Sequence, residues 1–87
     1  MFFVFNVPGE YYFWMKNTLI PLDIIWLDEI NRIVHIEKNV PPCDTGETCE
    51  IINPKKTAIY VLELNAGKST EMGLKVGDEM KWKREKH

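Results

Sequence analysis

The feature that most constrains the fold is a series of short apolar runs, each ended by residues that favour turns. β-Branched and aromatic side chains fill these runs, and Gly, Pro, Asn and Asp separate them. No run approaches the roughly 20 apolar residues that a membrane-spanning helix needs. The pattern predicts six strands, which are Phe2–Phe5, Tyr11–Lys16, Leu22–Leu27, Arg32–Glu37, Ala58–Leu64 and Glu79–Lys83.

One segment, Ala66–Met72, has the character of a short helix. Asn65 is a candidate N-cap, and Gly73 can take the left-handed conformation that ends many helices. A chain of 87 residues has room for one core, so we expect a single domain over residues 1–87. The predicted fold class is all-β, a compact sandwich or barrel-like sheet with one short helix near residues 66–72.

Charge argues against nucleic acid as a partner. The formal net charge is −2 at pH 7, whereas binding to a phosphate backbone is favoured by a clustered basic face. The basic residues near the C-terminus are interpreted as a water-facing strand and a solvated tail; they are Lys81, Lys83, Arg84 and Lys86. The opening MFFVF has no charged leader and no cleavage site, so the sequence predicts no export signal in this chain.

Two carboxylates interrupt otherwise apolar strand faces. Because successive side chains of a strand point to opposite sides, Asp23 lies on an apolar face of Leu22–Leu27. The same alternation places Glu63 on an apolar face of Ala58–Leu64. A charge buried without a partner is costly, so both carboxylates need partners or a function.

A polar interruption in the stretch FWMKNTLIPLD is the first candidate site. If the strands on either side are antiparallel neighbours, Lys16 and Asp23 face each other and can form an ion pair. Asn17 and Thr18 would then bond backbone groups in the connector. The second hypothesis is a pocket for a small polar ligand against an aromatic wall formed by Tyr12 or Trp14. Its candidate ligand-binding residues are Lys16, Asn17, Thr18, Asp23, Glu63 and Trp14.

The aromatic run beside this interruption allows two interpretations. Tyr11, Tyr12, Phe13 and Trp14 are expected to be core and rim side chains. The alternative is an exposed platform on which sugar rings or bases stack.

Catalysis is the less favoured functional class. Asp23 and Glu63 could form the acid and base of a hydrolase-like enzyme if burial separated their pKa values. The sequence has no nucleophile with an attached base, no glycine-rich phosphate loop and no metal-ligand spacing, so we predict no catalytic residue, metal or cofactor. We favour a small binding or accessory domain; a third alternative is an interaction module that acts through its sheet edge.

Cys43 and Cys49 flank a five-residue segment with turn chemistry, and a disulfide that closes this loop is the leading interpretation. A loop this small would gain about 2–2.5 kcal/mol of stability. The alternatives are a metal site with His35 and Glu37, a reactive thiol with His35 as its base, and two reduced thiols. The cysteine gap is wider than that of structural zinc sites, and His35 is expected to be a partly exposed strand residue.

Four phrases of the sequence resemble the DUF192 family of prokaryotic proteins of unknown function. They are FWMKNTLIPLDIIWLD, NVPPC, YVLELNAG and GLKVGDEM, and the resemblance covers nearly the whole chain. It implies a compact β-rich fold of sandwich or barrel type, with no established activity, cofactor or catalytic residue. It also suggests an extracytoplasmic setting, because members of the family often follow signal or lipoprotein leaders.

The start of the chain departs from the family pattern. Members typically have a further strand and a Gly-Leu-Met segment ahead of the residues that match Phe2–Phe5, and neither is present here. An unpaired strand edge can pair with another chain. If the further strand belongs to the sheet of the family, its absence leaves such an edge, and we predict a homodimer or a rearranged edge for this chain.

Overall fold

The computed structural model describes residues 1–43 and 48–81. It confirms the mainly β fold class, with six strands and one short helix among the described residues. In chain order these are β1 (Phe2–Gly9), β2 (Phe13–Trp14), β3 (Leu22–Leu27), β4 (Ile33–Val40), β5 (Ile51–Ile52), β6 (Ala58–Asn65) and α1 (Lys68–Glu71). Within this part of the chain, no helix has the length and apolar character needed to span a membrane.

Four strands form one antiparallel sheet in the order β1, β6, β3, β4. The strand β3 lies inside this sheet, and all six of its residues are buried. This agrees with its sequence, which is apolar at both odd and even positions except at Asp23. The other two strands, β2 and β5, form a separate two-stranded antiparallel ribbon.

Each face of the sheet carries its own hydrophobic cluster, as the alternation along β3 predicts. The first face carries Leu22, Ile24 and Trp26, and Met15, just after β2, and Ile52 of β5 pack against it. The second face carries Asp23, Ile25 and Leu27. Half-buried side chains that pack on this second face include Ile36, Tyr60, Leu62, Leu64, Leu74 and Met80.

The helix is shorter than predicted, and it begins two residues later than expected because of the backbone conformation at Gly67. It spans Lys68–Glu71, and its N-cap is Gly67, which has a left-handed φ of 92°. Asn65 is instead the last residue of β6, so its predicted role as N-cap is wrong. Gly73 does follow the helix with a left-handed φ of 70°, as expected of a residue that ends it.

Several predicted strands also differ in extent: β1 continues to Gly9 and β4 to Val40, and β5 is not predicted from the sequence. The expected strand Tyr11–Lys16 is reduced to the two residues of β2, because the chain enters a turn at Met15. Near the expected strand Glu79–Lys83, the structure has a single bridge between Glu79 and Arg32. The rest of that prediction, from residue 82 onward, lies outside the described residues.

Candidate functional site

Asp23 is fully buried, and protein donors satisfy its carboxylate. Oδ1 accepts a hydrogen bond from the Asn39 amide at 3.0 Å. Oδ2 accepts three more, from the Gly67 amide at 3.1 Å, the Ser69 amide at 2.9 Å and the Ser69 hydroxyl at 2.6 Å. With four donors in place and a solvent exposure of 0%, the Asp23 carboxylate has no surface to offer a ligand.

The backbone around Asp23 is shaped to supply these donors. Leu22 pairs with Val40 and Ile24 pairs with Glu37, so two residues of β4 lie opposite Asp23 and form a bulge. Asn39, in this bulge, has a left-handed φ of 54°, and its amide points at the carboxylate. On the other side, the amides of Gly67 and Ser69 come from the start of α1. Asp23 thus joins β3, the β4 bulge and the start of α1.

Two opposing effects set the pKa of Asp23. Burial raises the pKa of the carboxyl, but the Ser69 hydroxyl and the amides of Asn39, Ser69 and Gly67 together lower it by more. The net pKa therefore lies below the usual value of 3.8, and Asp23 is ionised at neutral pH. A carboxylate in this state is suited to holding structure together and not to exchanging protons.

The predicted ion pair between Lys16 and Asp23 is wrong. Lys16 is exposed, and its Nζ lies 5.0 Å from the centre of the Trp14 ring, in a cation–π arrangement. Asp23 is on the second face, whereas Met15, next to Lys16, packs into the cluster on the first face. The sheet itself therefore separates the two charges.

Glu63 is on the opposite face of the sheet from Asp23. Asp23 pairs with Leu64 across the strands, and Glu63 pairs with Ile24, whose side chain belongs to the first face. A substrate could not contact both carboxylates, so the hydrolase-like alternative has no geometric basis. Partial burial raises the pKa of Glu63, and the α-ammonium of Met1 lowers it by less.

The polar residues after Trp14 form a tight turn. The Thr18 amide donates to the Met15 carbonyl at 3.0 Å, and Asn17 has a left-handed φ of 65°. The Cys43 amide donates to the Thr18 carbonyl at 2.9 Å, which fixes the turn against the segment that follows β4. The turn and Asp23 are on different faces, so the predicted six-residue polar site is not assembled as one pocket.

The predicted disulfide is confirmed. The Sγ atoms of Cys43 and Cys49 are 2.10 Å apart, and their Cα atoms are 5.6 Å apart. Both sulfur atoms are engaged in this bond, which removes the thiols that the metal and nucleophile alternatives require. His35 is half-buried on β4, and its Nε2 lies 3.0 Å from Glu37 Oε1.

A cleft with a volume of about 300 Å³ opens on the first face, between β1 and the β2 segment. Its lining residues are Phe3, Phe5, Tyr12, Phe13, Trp14 and Val61. Tyr12 is 63% exposed and Trp14 is 55% exposed, so aromatic surface is open to solvent at the cleft. We call this feature the aromatic cleft.

The segment that carries the aromatic cleft is fixed by its neighbours. The buried Trp26 donates a hydrogen bond from Nε1 to the Tyr11 carbonyl at 2.8 Å. The Tyr11 ring stacks on Phe5, with 3.7 Å between ring centres. These contacts attach the chain just before Tyr12 to both β3 and β1, so the cleft is a preformed feature of the fold.

Only part of this cleft is predictable from the sequence. The predicted aromatic wall is Tyr12 or Trp14, and it does not include Phe3, Phe5 or Val61. Alternation in β1 places Phe3 and Phe5 on one face, which is a usable signal. Pairing of Phe3 with Val61, far along the chain, is not visible in any local pattern.

The fold and cleft define a small mainly β domain with an aromatic surface cleft and a buried aspartate. The family model DUF192, described as uncharacterized ACR, matches residues 1–82. The chain belongs to the DUF192 family. A comparison with curated proteins finds no match.

Two solved structures are similar to this chain. A protein of unknown function from Novosphingobium aromaticivorans DSM 12444 is 36% identical with a TM-score of 0.82, over 94% of this chain and 56% of that one. A Sinorhizobium meliloti 1021 protein, described as a "putative transcription regulator", is 35% identical with a TM-score of 0.81. That match covers 91% of this chain and 58% of the other, so the chain spans little more than half the length of either protein.

Proposed function

We propose that this domain is a non-enzymatic binding module whose aromatic cleft takes a small anion that carries a ring. The observation that carries the proposal is the combination of exposed aromatic faces at Tyr12 and Trp14 with the Lys16 ammonium beside Trp14. The proposal keeps Lys16 and Trp14 from the predicted site. It leaves out Asp23 and Glu63, and it gives Asn17 and Thr18 a structural role in the turn.

The size and lining of the cleft support a small ligand. Ligand pockets typically measure about 300–1,000 Å³ and have mostly apolar walls with a few polar groups, and this cleft is at the lower end of that range. A flat ring can stack on an exposed aromatic side chain, which contributes about 1–3 kcal/mol per ring. The side chains of Trp14 and Tyr12 are the open aromatic faces available for this contact.

The position of Lys16 supports an anionic group on the ligand. Its Nζ, 5.0 Å from the Trp14 ring centre, is exposed, so an anion can reach it without displacing a buried partner. A charge-assisted hydrogen bond from an ammonium group to a carboxylate is among the stronger polar contacts. A ring stacked on Trp14 with a carboxylate directed toward Lys16 would use both features at once.

Catalysis and nucleic-acid binding have less support. Asp23 is ionised and saturated with hydrogen bonds, and it is separated from Glu63 by the sheet. The formal net charge of −2 does not favour a phosphate backbone, so the description of the Sinorhizobium protein is not carried over.

The test is calorimetric titration with two anions and their neutral analogues. Benzoate is compared with benzamide, and glucuronate with glucose, so the experiment separates an aromatic carboxylate from a sugar acid. We expect one anion to bind, and its neutral analogue to bind at least about tenfold more weakly, a difference of about 1.4 kcal/mol. If neither anion binds, the proposal is wrong.

Two variants assign the binding to the cleft. Trp14→Ala should weaken binding of both members of the pair, because it removes the stacking surface. Lys16→Gln should remove the preference for the anion while leaving the neutral analogue unaffected. Ile30→Ala is the matched control for Trp14, since Ile30 is also 55% exposed, and Lys75→Gln controls for loss of one exposed positive charge. Equal affinities in Trp14→Ala and Ile30→Ala would contradict the proposed site.

A further inference from the structure

One wall of the aromatic cleft is built on a very short strand. Phe13 and Trp14 line the cleft, and they are the whole of β2. Their strand partner is β5, which also has two residues, with Phe13 opposite Ile52 and Trp14 opposite Ile51. A two-stranded ribbon is marginally stable by itself in water. The position of this wall therefore depends on what holds the ribbon.

Cys43 connects to both strands of the ribbon. Its amide donates to the Thr18 carbonyl at 2.9 Å, four residues after Trp14, and so holds the chain that leaves β2. Its sulfur is bonded to Cys49, two residues before Ile51, and so holds the chain that enters β5. One residue, through its backbone and its side chain, thus braces both strands at the same end.

A further hydrogen bond lies inside this brace. The Met15 amide donates to the Glu50 carbonyl at 3.2 Å and continues the β2–β5 pairing by one bond. Met15 is fully buried in the cluster on the first face, so its position is coupled to the core. Exchange of the Met15 amide with solvent therefore reports on the integrity of the ribbon.

From this geometry we propose that the Cys43–Cys49 disulfide is a redox control on the aromatic cleft. Closing the bond fixes the β2 wall, and opening it releases β5 and loosens the wall. The ligand-binding part of this proposal rests on the proposed function. The strands β1, β3, β4 and β6 are paired with one another and not with the ribbon, so the four-stranded sheet persists when the disulfide opens.

The reaction requires a dithiol reductant. Cys49 is half-buried and Cys43 is 8% exposed, so the attacking thiolate reaches the sulfur of Cys49 and displaces that of Cys43. The second thiol of the reductant then resolves the mixed disulfide. Two electrons and two protons pass to the protein, which gains two thiols, and the dithiol becomes a disulfide.

The decisive measurement is residue-resolved hydrogen exchange of the oxidised and dithiothreitol-reduced protein. We expect reduction to accelerate exchange of the Met15 and Cys43 amides at least tenfold, while amides of Ile25 and Leu62 in the four-stranded sheet are unchanged. The double variant Cys43→Ser, Cys49→Ser should match the reduced protein. It should not respond to dithiothreitol, which controls for direct effects of the reagent. Unchanged exchange of Met15 and Cys43 on reduction would overturn the proposal.

The affinity for the probe anion tests whether the disulfide controls the cleft. Whichever probe anion binds the oxidised protein, benzoate or glucuronate, should bind the reduced protein at least tenfold more weakly. Equal affinity in both forms would overturn redox control of the cleft and leave the proposed function standing. If neither form binds either anion, the proposed function fails, and faster exchange on reduction alone still supports redox control of the wall.

Discussion

Asp23 shows how a charged side chain can occupy the most buried strand of a small domain. Removing a carboxylate from water is expensive unless hydrogen bonds replace those that water supplied. Two donors come from Ser69, one from Gly67 and one from Asn39, and hydrogen bonds to a charged acceptor are stronger than neutral ones. The carboxylate therefore acts as a connection between strands and helix.

Replacing Ser69 with Ala should lower the free energy of unfolding by about 1–3 kcal/mol. The change removes the hydroxyl that donates to Asp23 Oδ2 at 2.6 Å, at a position with no access to replacement water. Urea denaturation measures the difference, and Thr57→Ala at an exposed position is the control. A loss no larger than that of Thr57→Ala would show that the hydroxyl is dispensable.

Lowering the pH should remove the contribution of the Asp23 carboxylate to the free energy of unfolding. Because its folded pKa is lowered, the stabilisation is fully present above the unfolded value of 3.8 and is lost as pH falls through the folded pKa. We expect Asp23→Asn to be strongly destabilised at pH 7 and the gap to the unmodified protein to shrink below about pH 4. Urea denaturation across this range measures the gap, and a gap constant with pH would contradict the assignment.

The contribution of Glu63 to stability should depend on pH in the opposite direction. Its folded pKa is raised by partial burial, so the favourable contribution is present below the unfolded value of 4.5 and is lost as pH rises through the folded pKa. Glu63→Gln should therefore be more stable than the unmodified protein at pH 7 and no more stable at pH 3. Thermal unfolding at the two pH values measures this, and a Gln variant less stable at pH 7 would refute it.

At the scale of elements, regular periodicity was predictable and its interruptions were not. The alternation in β3 and β6 assigned Asp23 and Glu63 to apolar faces because a strand repeats every two residues. The bulge in β4 depends on the register with β3, and the late start of α1 depends on Gly67, so neither follows from local propensity. The hydrogen-bond partners of Asp23 come from these two irregular places, which explains why the sequence pattern predicted Lys16 as its partner.

The β4 bulge can be tested through the backbone conformation of Asn39. Asn39 holds a φ of 54°, a conformation that disfavours β-branched residues by about 1–2 kcal/mol. Asn39→Val should lower the free energy of unfolding by at least that amount, since its amide must also stay aligned with Asp23. Asn39→Gly keeps the amide and accepts the conformation, so it should be nearly neutral. Equal losses for Val and Gly in urea denaturation would argue against the bulge.

The whole molecule joins segments that are distant in sequence. The strand β1 pairs with β6, so Phe3 and Val61 meet at the cleft. No local sequence pattern specifies a pairing between residues so far apart in the chain. The sequence did specify the mainly β class and the disulfide, because periodicity and cysteine spacing are local. The homodimer stays a prediction. It would form through β1, which is an edge strand of the sheet.

A substitution on β1 tests that prediction. Val4 is 63% exposed, and a lysine on an edge strand discourages pairing with another chain. We expect the unmodified protein to show a mass that rises with concentration in sedimentation equilibrium, and Val4→Lys to remain at the monomer mass. Ile30→Lys, at an exposed turn residue, is the control. A monomer at every concentration before substitution would refute the dimer.

The aromatic cleft and the hydrogen bonds to Asp23 lie on opposite faces of one sheet. This separation affects how the sequences of such domains can diverge. A change at Trp14 alters the lining of the cleft on the first face, and a change at Ser69 alters the stability of the sheet from the second face. Effects at well-separated sites are expected to add. The lining of the cleft can therefore change in one lineage after another while the same framework is inherited unchanged.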